Sequence, residues 1–299
     1  MDFISLFFVF ALGAVIGSFL NVVVLRYNTG KISDGRSMCF SCGKTLAWSE
    51  LVPILSFFLQ KGKCASCNSK ISWQYPAVEF LTGIVFIFVF AQEFSGSFSF
   101  FDVLNLLASL AIWSLLIAIV VYDMRHKIIP DGLVWSFVGL SFFQGLFLFL
   151  SANGWSFSEV WNLPASHFSF FETFIGGEFS TWLLSGPVLA TPFALIWLAS
   201  GGRWMGLGDA KIALGLGFYL GLWPAFSAIL LAFWIGAIWG IAVVSLGRIS
   251  EFYALSYGDK HHTMKSEIPF APFLIIGMFL VYIWGIDITV LVSKLLLVT

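Results

Sequence analysis

Two aspartates lie in or beside very apolar sequence: Asp123 in IAIVVYDMRHKIIPD and Asp209 in GGRWMGLGDAKIALGLG. Holding a carboxylate near hydrocarbon is costly, so an acid placed there is a functional-site candidate by default. Two carboxyl groups sharing one proton can hydrolyse a peptide without a metal or a covalent nucleophile. One acts as base on a water while the other, protonated, polarises the scissile carbonyl. Their mutual repulsion keeps one acid protonated near neutral pH, and the titration belongs to the pair. In Gly206-Leu-Gly-Asp209, Gly206 and Gly208 are candidate active-site backbone, since residues without a Cβ let backbone and substrate approach Asp209 closely.

Taken singly, each acid has a plainer reading. Asp123 could begin a solvated loop, because Met-Arg-His-Lys follows it, and Asp209 could pair with Lys211 or Arg203. Asp131 follows Pro130 and reads as an N-cap for the next helix. His126 reads as interfacial, and the adjacent His261 and His262 as solvated.

The four cysteines form a second constellation: Cys39-Phe-Ser-Cys42, a gap of 21 residues, then Cys64-Ala-Ser-Cys67. Paired Cys-x-x-Cys units offer four thiolates to one tetrahedral metal, usually Zn²⁺. Gly43 and Gly62 beside the pairs suit tight knuckles. Redox thiols and disulfides are the alternatives, and a reducing compartment disfavours the latter. A closed Cys₄ site has no open coordination position, so it shapes the segment and does not catalyse.

The elements that carry these residues are membrane helices. The chain is 59% hydrophobic and 10% charged, with mean hydropathy +0.95, whereas soluble domains carry about 25% charged residues. With net charge −1, nothing suggests nucleic-acid binding. The reading is an all-α polytopic membrane protein of about eight transmembrane helices, near 3–25, 76–94, 103–123, 132–151, 181–200, 209–223, 225–246 and 268–291. A small cytoplasmic zinc-binding module lies between the first two. The first span has no basic n-region and reads as a retained anchor. The sixth is short and starts in Gly-rich backbone, as suits a segment entering a protein-lined cavity.

Basic residues alternate cleanly between loops. Segment 26–75 carries Arg26, Lys31, Arg36, Lys44, Lys61, Lys63 and Lys70, whereas the segments 95–102 and 152–180 have no Lys or Arg. Arg125 and Lys127, Arg203 and Lys211, and Arg248, Lys260 and Lys265 fall on the same side as 26–75, with Lys294 the one exception. The positive-inside rule makes this side cytoplasmic and puts Asp123 and Asp209 at cytoplasmic helix ends. Segment 152–180 reads as an external interfacial cap. The domain reading is 1–25 first helix, 26–75 Cys₄ module, and 76–299 a transmembrane peptidase domain.

Together these motifs resemble the type IV prepilin peptidases, bacterial inner-membrane aspartic proteases of the Gly-x-Gly-Asp class. Gly17-Ser-Phe-Leu-Asn-Val-Val-Val-Leu-Arg26 resembles their opening helix. The Cys pairs, with Glu50-Leu-Val-Pro-Ile-Leu-Ser56 and Gly62-Lys-Cys64 between them, look like their cytoplasmic module. Ile71 to Glu79, Asp123 to Asp131, Gly206 to Lys211 and Ile268 to Phe273 match in order. Two positions depart from the pattern: Phe40 stands where Pro is usual, and Leu51 replaces a polar residue.

The resemblance implies cleavage of the basic leader from prepilins or pseudopilins at the cytoplasmic membrane face, by Asp123 and Asp209. Methylation of the new N-terminus from S-adenosylmethionine would follow. Cys39, Cys42, Cys64 and Cys67 carry over as zinc ligands, and Glu50 and Lys63 as methyl-transfer candidates. The expected partners are prepilin or pseudopilin substrates and membrane lipid. Glu50 and Glu79 could attract the basic leader.

Three other readings compete. A presenilin- or signal-peptide-peptidase-like protease would share Tyr122-Asp123 and Gly-Leu-Gly-Asp209 but leave the cysteines unexplained. A proton-coupled transporter would relay protons through the acids, although no inverted repeat is visible. A zinc-bearing scaffold would need neither aspartate.

Overall fold

The computed structural model describes residues 3–27, 36–94, 99–152, 177–253 and 269–286. Among these residues every regular element is helical, apart from two isolated antiparallel bridges. Among the described residues, six helices are long and apolar enough to cross a membrane. They are α1 (Phe3–Arg26), α3 (Gln74–Glu93), α4 (Phe100–His126), α5 (Asp131–Ala152), α6 (Gly177–Ser200) and α8 (Leu222–Tyr253). The sixth and eighth expected spans are shorter helices, α7 (Leu207–Leu220) and α9 (Ala271–Trp284), each of 14 residues. At 1.5 Å per residue each reaches about 21 Å, less than a hydrocarbon core of about 30 Å. Most of segment 152–180, and His261 and His262, lie outside the described residues.

The chain divides into two units, Met1–Tyr122 and Asp123–Thr299, and the division falls in the last turn of α4. In the first unit α1 packs along α3. A Cβ on Gly13 would stand 2.8 Å from the Gly83 Cα, and one on Gly17 2.8 Å from the Glu79 Cα. Small residues are how membrane helices come this close, because lipid provides no hydrophobic drive to push them together. Buried Asn21 donates to the Gly17 and Tyr75 carbonyls, both at 3.3 Å.

Between α1 and α3 the chain forms a small module with a 3₁₀ turn at Trp48–Glu50 and a short helix, α2 (Leu55–Leu59). The two cysteine knuckles share one backbone pattern. Cys39 N–H donates to the Lys44 carbonyl and Gly43 N–H to the Cys39 carbonyl; Cys64 N–H donates to Ser69 and Asn68 N–H to Cys64, all at 2.9 Å. Gly43 (φ 70) and Asn68 (φ 56) are therefore counterparts, each turning the chain through the left-handed region. Asn is among the few non-glycine residues that adopt this conformation readily.

In the second unit α7 is central, packing on α5 and α6 and also touching α8 and α9. Burial runs around it: Ala210, Ile212, Ala213, Gly215, Leu216 and Phe218 are all covered. Small residues on α7 make room for its neighbours. The Phe137 ring of α5 lies against Gly215, and a Cβ on Gly217 would stand 2.5 Å from the Gly186 Cα of α6. Ser185 donates to the Gly217 carbonyl at 2.7 Å, and the Trp182 indole to that of Phe218 at 3.0 Å.

Candidate active site and metal centre

Asp123 ends up in the last turn of α4, not in a solvated loop. It is 4% exposed, while Met124, Arg125 and His126 beside it are open to solvent. Asp209 lies in the first turn of α7 and is 6% exposed. The two carboxylates are near enough for their charges to interact. Each keeps one buried oxygen, Asp123 Oδ2 and Asp209 Oδ1, with no hydrogen-bond partner. A buried unpaired carboxylate oxygen is costly, and in a native fold it calls for a water, a shared proton or a substrate group.

Helix N-termini supply the donors that do reach the pair. The Ala271 N–H at the start of α9 faces the Asp123 carboxylate, and the Gly206 N–H at the N-cap of α7 faces that of Asp209. Unsatisfied N–H groups and the helix dipole favour negative charge at both places. Pro269 to Phe273, which the sequence matched only as a last helix, thus brings a backbone donor to Asp123.

The cations that offered Asp209 a plainer pairing go elsewhere. Lys211 Nζ lies 2.5 Å from Asp131 Oδ1 and 5.7 Å from the centre of the Trp135 ring. Arg203 donates to the Ser200 carbonyl at 3.1 Å, closing the end of α6. Asp131, expected as an N-cap, is instead the first residue of α5, and its carboxylate ties α5 to α7. Both aspartates at the centre are thus left without a cationic side chain of their own among these residues.

The two glycines of the motif sit in different surroundings. Gly206 is extended, with φ −75 and open space where a Cβ would go, apart from Asp209 Oδ2 and the Gly208 backbone nitrogen, each at 3.9 Å. Gly208 is packed shut: a Cβ there would stand 2.7 Å from Ile129 Cβ and 2.8 Å from its Cδ1. Gly208 thus admits a protein side chain from the Ile-Ile-Pro-Asp131 motif. Ile129 was absent from the sequence-based site, and nothing in its type or spacing marks it.

In the first unit the four cysteine Sγ atoms lie within 4.8 Å of one another, an arrangement that could hold a metal ion, with Cys39 and Cys67 at 3.8 Å. N–H groups of Cys42 and Ser41, with the Ser69 hydroxyl, hold the Cys39 thiol down at about 6. The Ser69 hydroxyl and N–H lower that of Cys67 as well. Such donors favour the thiolate that a metal requires.

Glu50 accepts from the Ala47 N–H at 2.8 Å and from Lys44 at 3.1 Å, and both hold its carboxyl below the usual range. Lys63 precedes the second knuckle and pairs with Lys70 across the bridge. Glu79 is buried and accepts the Ile54 N–H at 2.6 Å, so it is spoken for within the fold and is not an open acid for a basic leader.

Residues 11–93 match the bacterial Peptidase A24 N-terminal domain, and residues 110–241 match the type IV leader peptidase family. A Prepilin leader peptidase/N-methyltransferase of Bacillus subtilis (strain 168) is 30% identical over 283 residues, covering 94% of each chain. The chain belongs to the type IV leader peptidase family. Two further relatives of this leader peptidase carry the same name. That of Aeromonas salmonicida (strain A449) is 29% identical, over 96% of this chain and 92% of its own. That of Pseudomonas aeruginosa is 28% identical, over 93% and 90%. No solved structure matches the chain significantly. Membership makes this leader peptidase a multi-pass membrane protease, and the presenilin-like, transporter and scaffold readings are not favoured.

Proposed function

We propose that this enzyme removes the leader from type IV prepilins or pseudopilins at the cytoplasmic face of the bacterial inner membrane, with Asp123 and Asp209 as the catalytic pair, and then N-methylates the new N-terminus. The observation that carries the protease reading is the pair of buried carboxylates with unpartnered oxygens, Asp123 Oδ2 and Asp209 Oδ1.

A water held between the two would lose its proton to the ionised aspartate as its oxygen attacks the scissile carbonyl. The protonated aspartate donates to the carbonyl oxygen as charge develops there. On collapse of the gem-diol the C–N bond breaks, one aspartate gives its proton to the leaving amine while the other takes a proton from a gem-diol hydroxyl, and the pair returns to its starting charge. Burial excludes competing water and strengthens each of these interactions. The alternation of basic loops supports a cytoplasmic position for these helix ends, where a basic leader would meet the apolar helix that follows it.

Residues 26–75 are proposed as the methyl-transfer module, with zinc in its cysteine cluster and the remainder, 76–299, as the peptidase domain. Zn–S bonds of about 2.3 Å in a tetrahedron set sulfurs roughly 3.8 Å apart, which the Cys39–Cys67 distance of 3.8 Å fits. Cys39, Cys42, Cys64 and Cys67 would hold the ion, which supplies a cross-link between the knuckles. Glu50 and Lys63 are the proposed methyl-transfer residues. Glu50 is tied through Lys44 to the first knuckle, and Lys63 adjoins the second. S-adenosylmethionine would supply an electrophilic methyl group. Glu50, held ionised, fits such a cationic donor as a fixed negative charge.

The test is intact-mass analysis of a prepilin incubated with purified enzyme and S-adenosylmethionine. Wild type should remove the leader and add one methyl mass. Asp123→Asn and Asp209→Asn should do neither while keeping their fold and metal. Cleavage by both variants at the wild-type rate would refute the dyad.

A further inference from the structure

The leader-peptidase reading uses the cysteines and the aspartates but leaves an apolar surface on the module unexplained. Leu55, Phe58 and Leu59 of α2 are exposed, Leu59 at 81%, and so is Trp73 at 67%. These residues belong to one cluster. The Trp73 ring centre lies 4.8 Å from that of Phe57 and 6.2 Å from that of Phe58. Phe57 itself is buried, and a Cβ on Gly62 would stand 3.2 Å from its Cζ.

What covers this surface follows from its depth. Trp73 immediately precedes the membrane span α3, and tryptophan is the side chain most at home at the boundary of water and hydrocarbon. The chain then dips deeper. Ile54, just before α2, donates to Glu79, six residues beyond Trp73 and so about 9 Å further along the helix axis. Ile54 is held there in a γ-turn, with φ 62 and the Leu55 N–H on the Pro53 carbonyl at 2.6 Å. A β-branched residue takes this conformation only when its surroundings impose it. The clamp therefore fixes α2 beside the first turns of a membrane helix, the setting of an interfacial helix.

Charge agrees. Lys61, Lys63 and Lys70 are exposed in the segment between α2 and Trp73, and no acid occurs between Leu51 and Val78. Such a basic segment attracts anionic headgroups and repels a basic leader peptide.

We propose that α2 and Trp73 form a membrane foot: Leu55, Phe58, Leu59 and Trp73 insert into the headgroup–acyl boundary of an anionic bilayer and hold the cysteine module against the membrane surface. The test places p-benzoylphenylalanine at position 59 of the full-length enzyme, in vesicles of phosphatidylethanolamine and phosphatidylglycerol, with added prepilin. Position 80 on α3, exposed on a membrane span, is the positive control, and position 66 on the second knuckle the negative one. After illumination, position 59 should give phospholipid adducts at a yield comparable to position 80 and at least five-fold above position 66. Adducts from 59 to prepilin alone would overturn the proposal and make the patch a substrate surface. Equal lipid yields at 59 and 66, or none at 59 while 80 reacts, would also overturn it.

Discussion

Replacing Gly208 with alanine tests how the Gly-x-Gly-Asp motif works. The added methyl would stand 2.7 Å from Ile129 Cβ and 2.8 Å from its Cδ1, whereas carbon atoms rest at about 3.5–4.0 Å. Relief requires a shift of about 1 Å, and overpacking of this kind costs about 1–3 kcal/mol. Asp209 is the next residue and must move with the helix start. A displacement of about 1 Å in a catalytic group lowers a rate on the order of 10²-fold, or about 2.7 kcal/mol of transition-state stabilisation. The assay is the initial rate of leader removal in detergent, with thermal unfolding as the fold control. Ile129→Gly removes every atom of the opposing side chain, so Gly208→Ala with Ile129→Gly should recover at least ten-fold over Gly208→Ala alone. Wild-type cleavage by a folded Gly208→Ala enzyme would refute the reasoning. So would failure of the double variant while Ile129→Gly alone stays active.

Other expectations follow from the same contacts. Asp131→Asn breaks the bond to Lys211, but Asp131 is largely exposed, so unfolding should change by no more than about 1 kcal/mol and cleavage by less than ten-fold. Glu79→Ala leaves the Ile54 N–H unpaired at a cost of about 1–3 kcal/mol; limited proteolysis near residues 50–60 should accelerate, and Glu79→Gln, which keeps an acceptor, should largely prevent this. Cys64→Ser should lose bound metal, measured by elemental mass spectrometry. Because Cys64 and the aspartates lie in different units, that variant should lose methylation before it loses cleavage.

The sequence by itself determined the membrane character, most of the long helices to within a few residues, and the residue types that could do chemistry. These are properties of composition, periodicity and spacing, which local segments carry alone. The opening Gly17-to-Arg26 motif was legible as a motif, but its reason, close packing of Gly17 on Glu79, was not. The equivalence of Asn68 with Gly43 could have been read from their shared offset after each Cys pair.

Other features depended on which segments meet. Asp123, followed by charged residues, left a solvated loop open as an alternative, yet it turns inward on the last helical turn. Lys211, two residues from Asp209, pairs with Asp131, 80 positions away. Gly208 makes room for Ile129, and Glu79 clamps Ile54. Chain separation carries no information about such pairs, because they follow from how helices stack and rotate, and that is settled by packing the whole unit at once. The sequence thus named the acids and the thiols, and the tertiary structure decided their partners: nearby side chains are free to point apart, and burial makes distant ones meet.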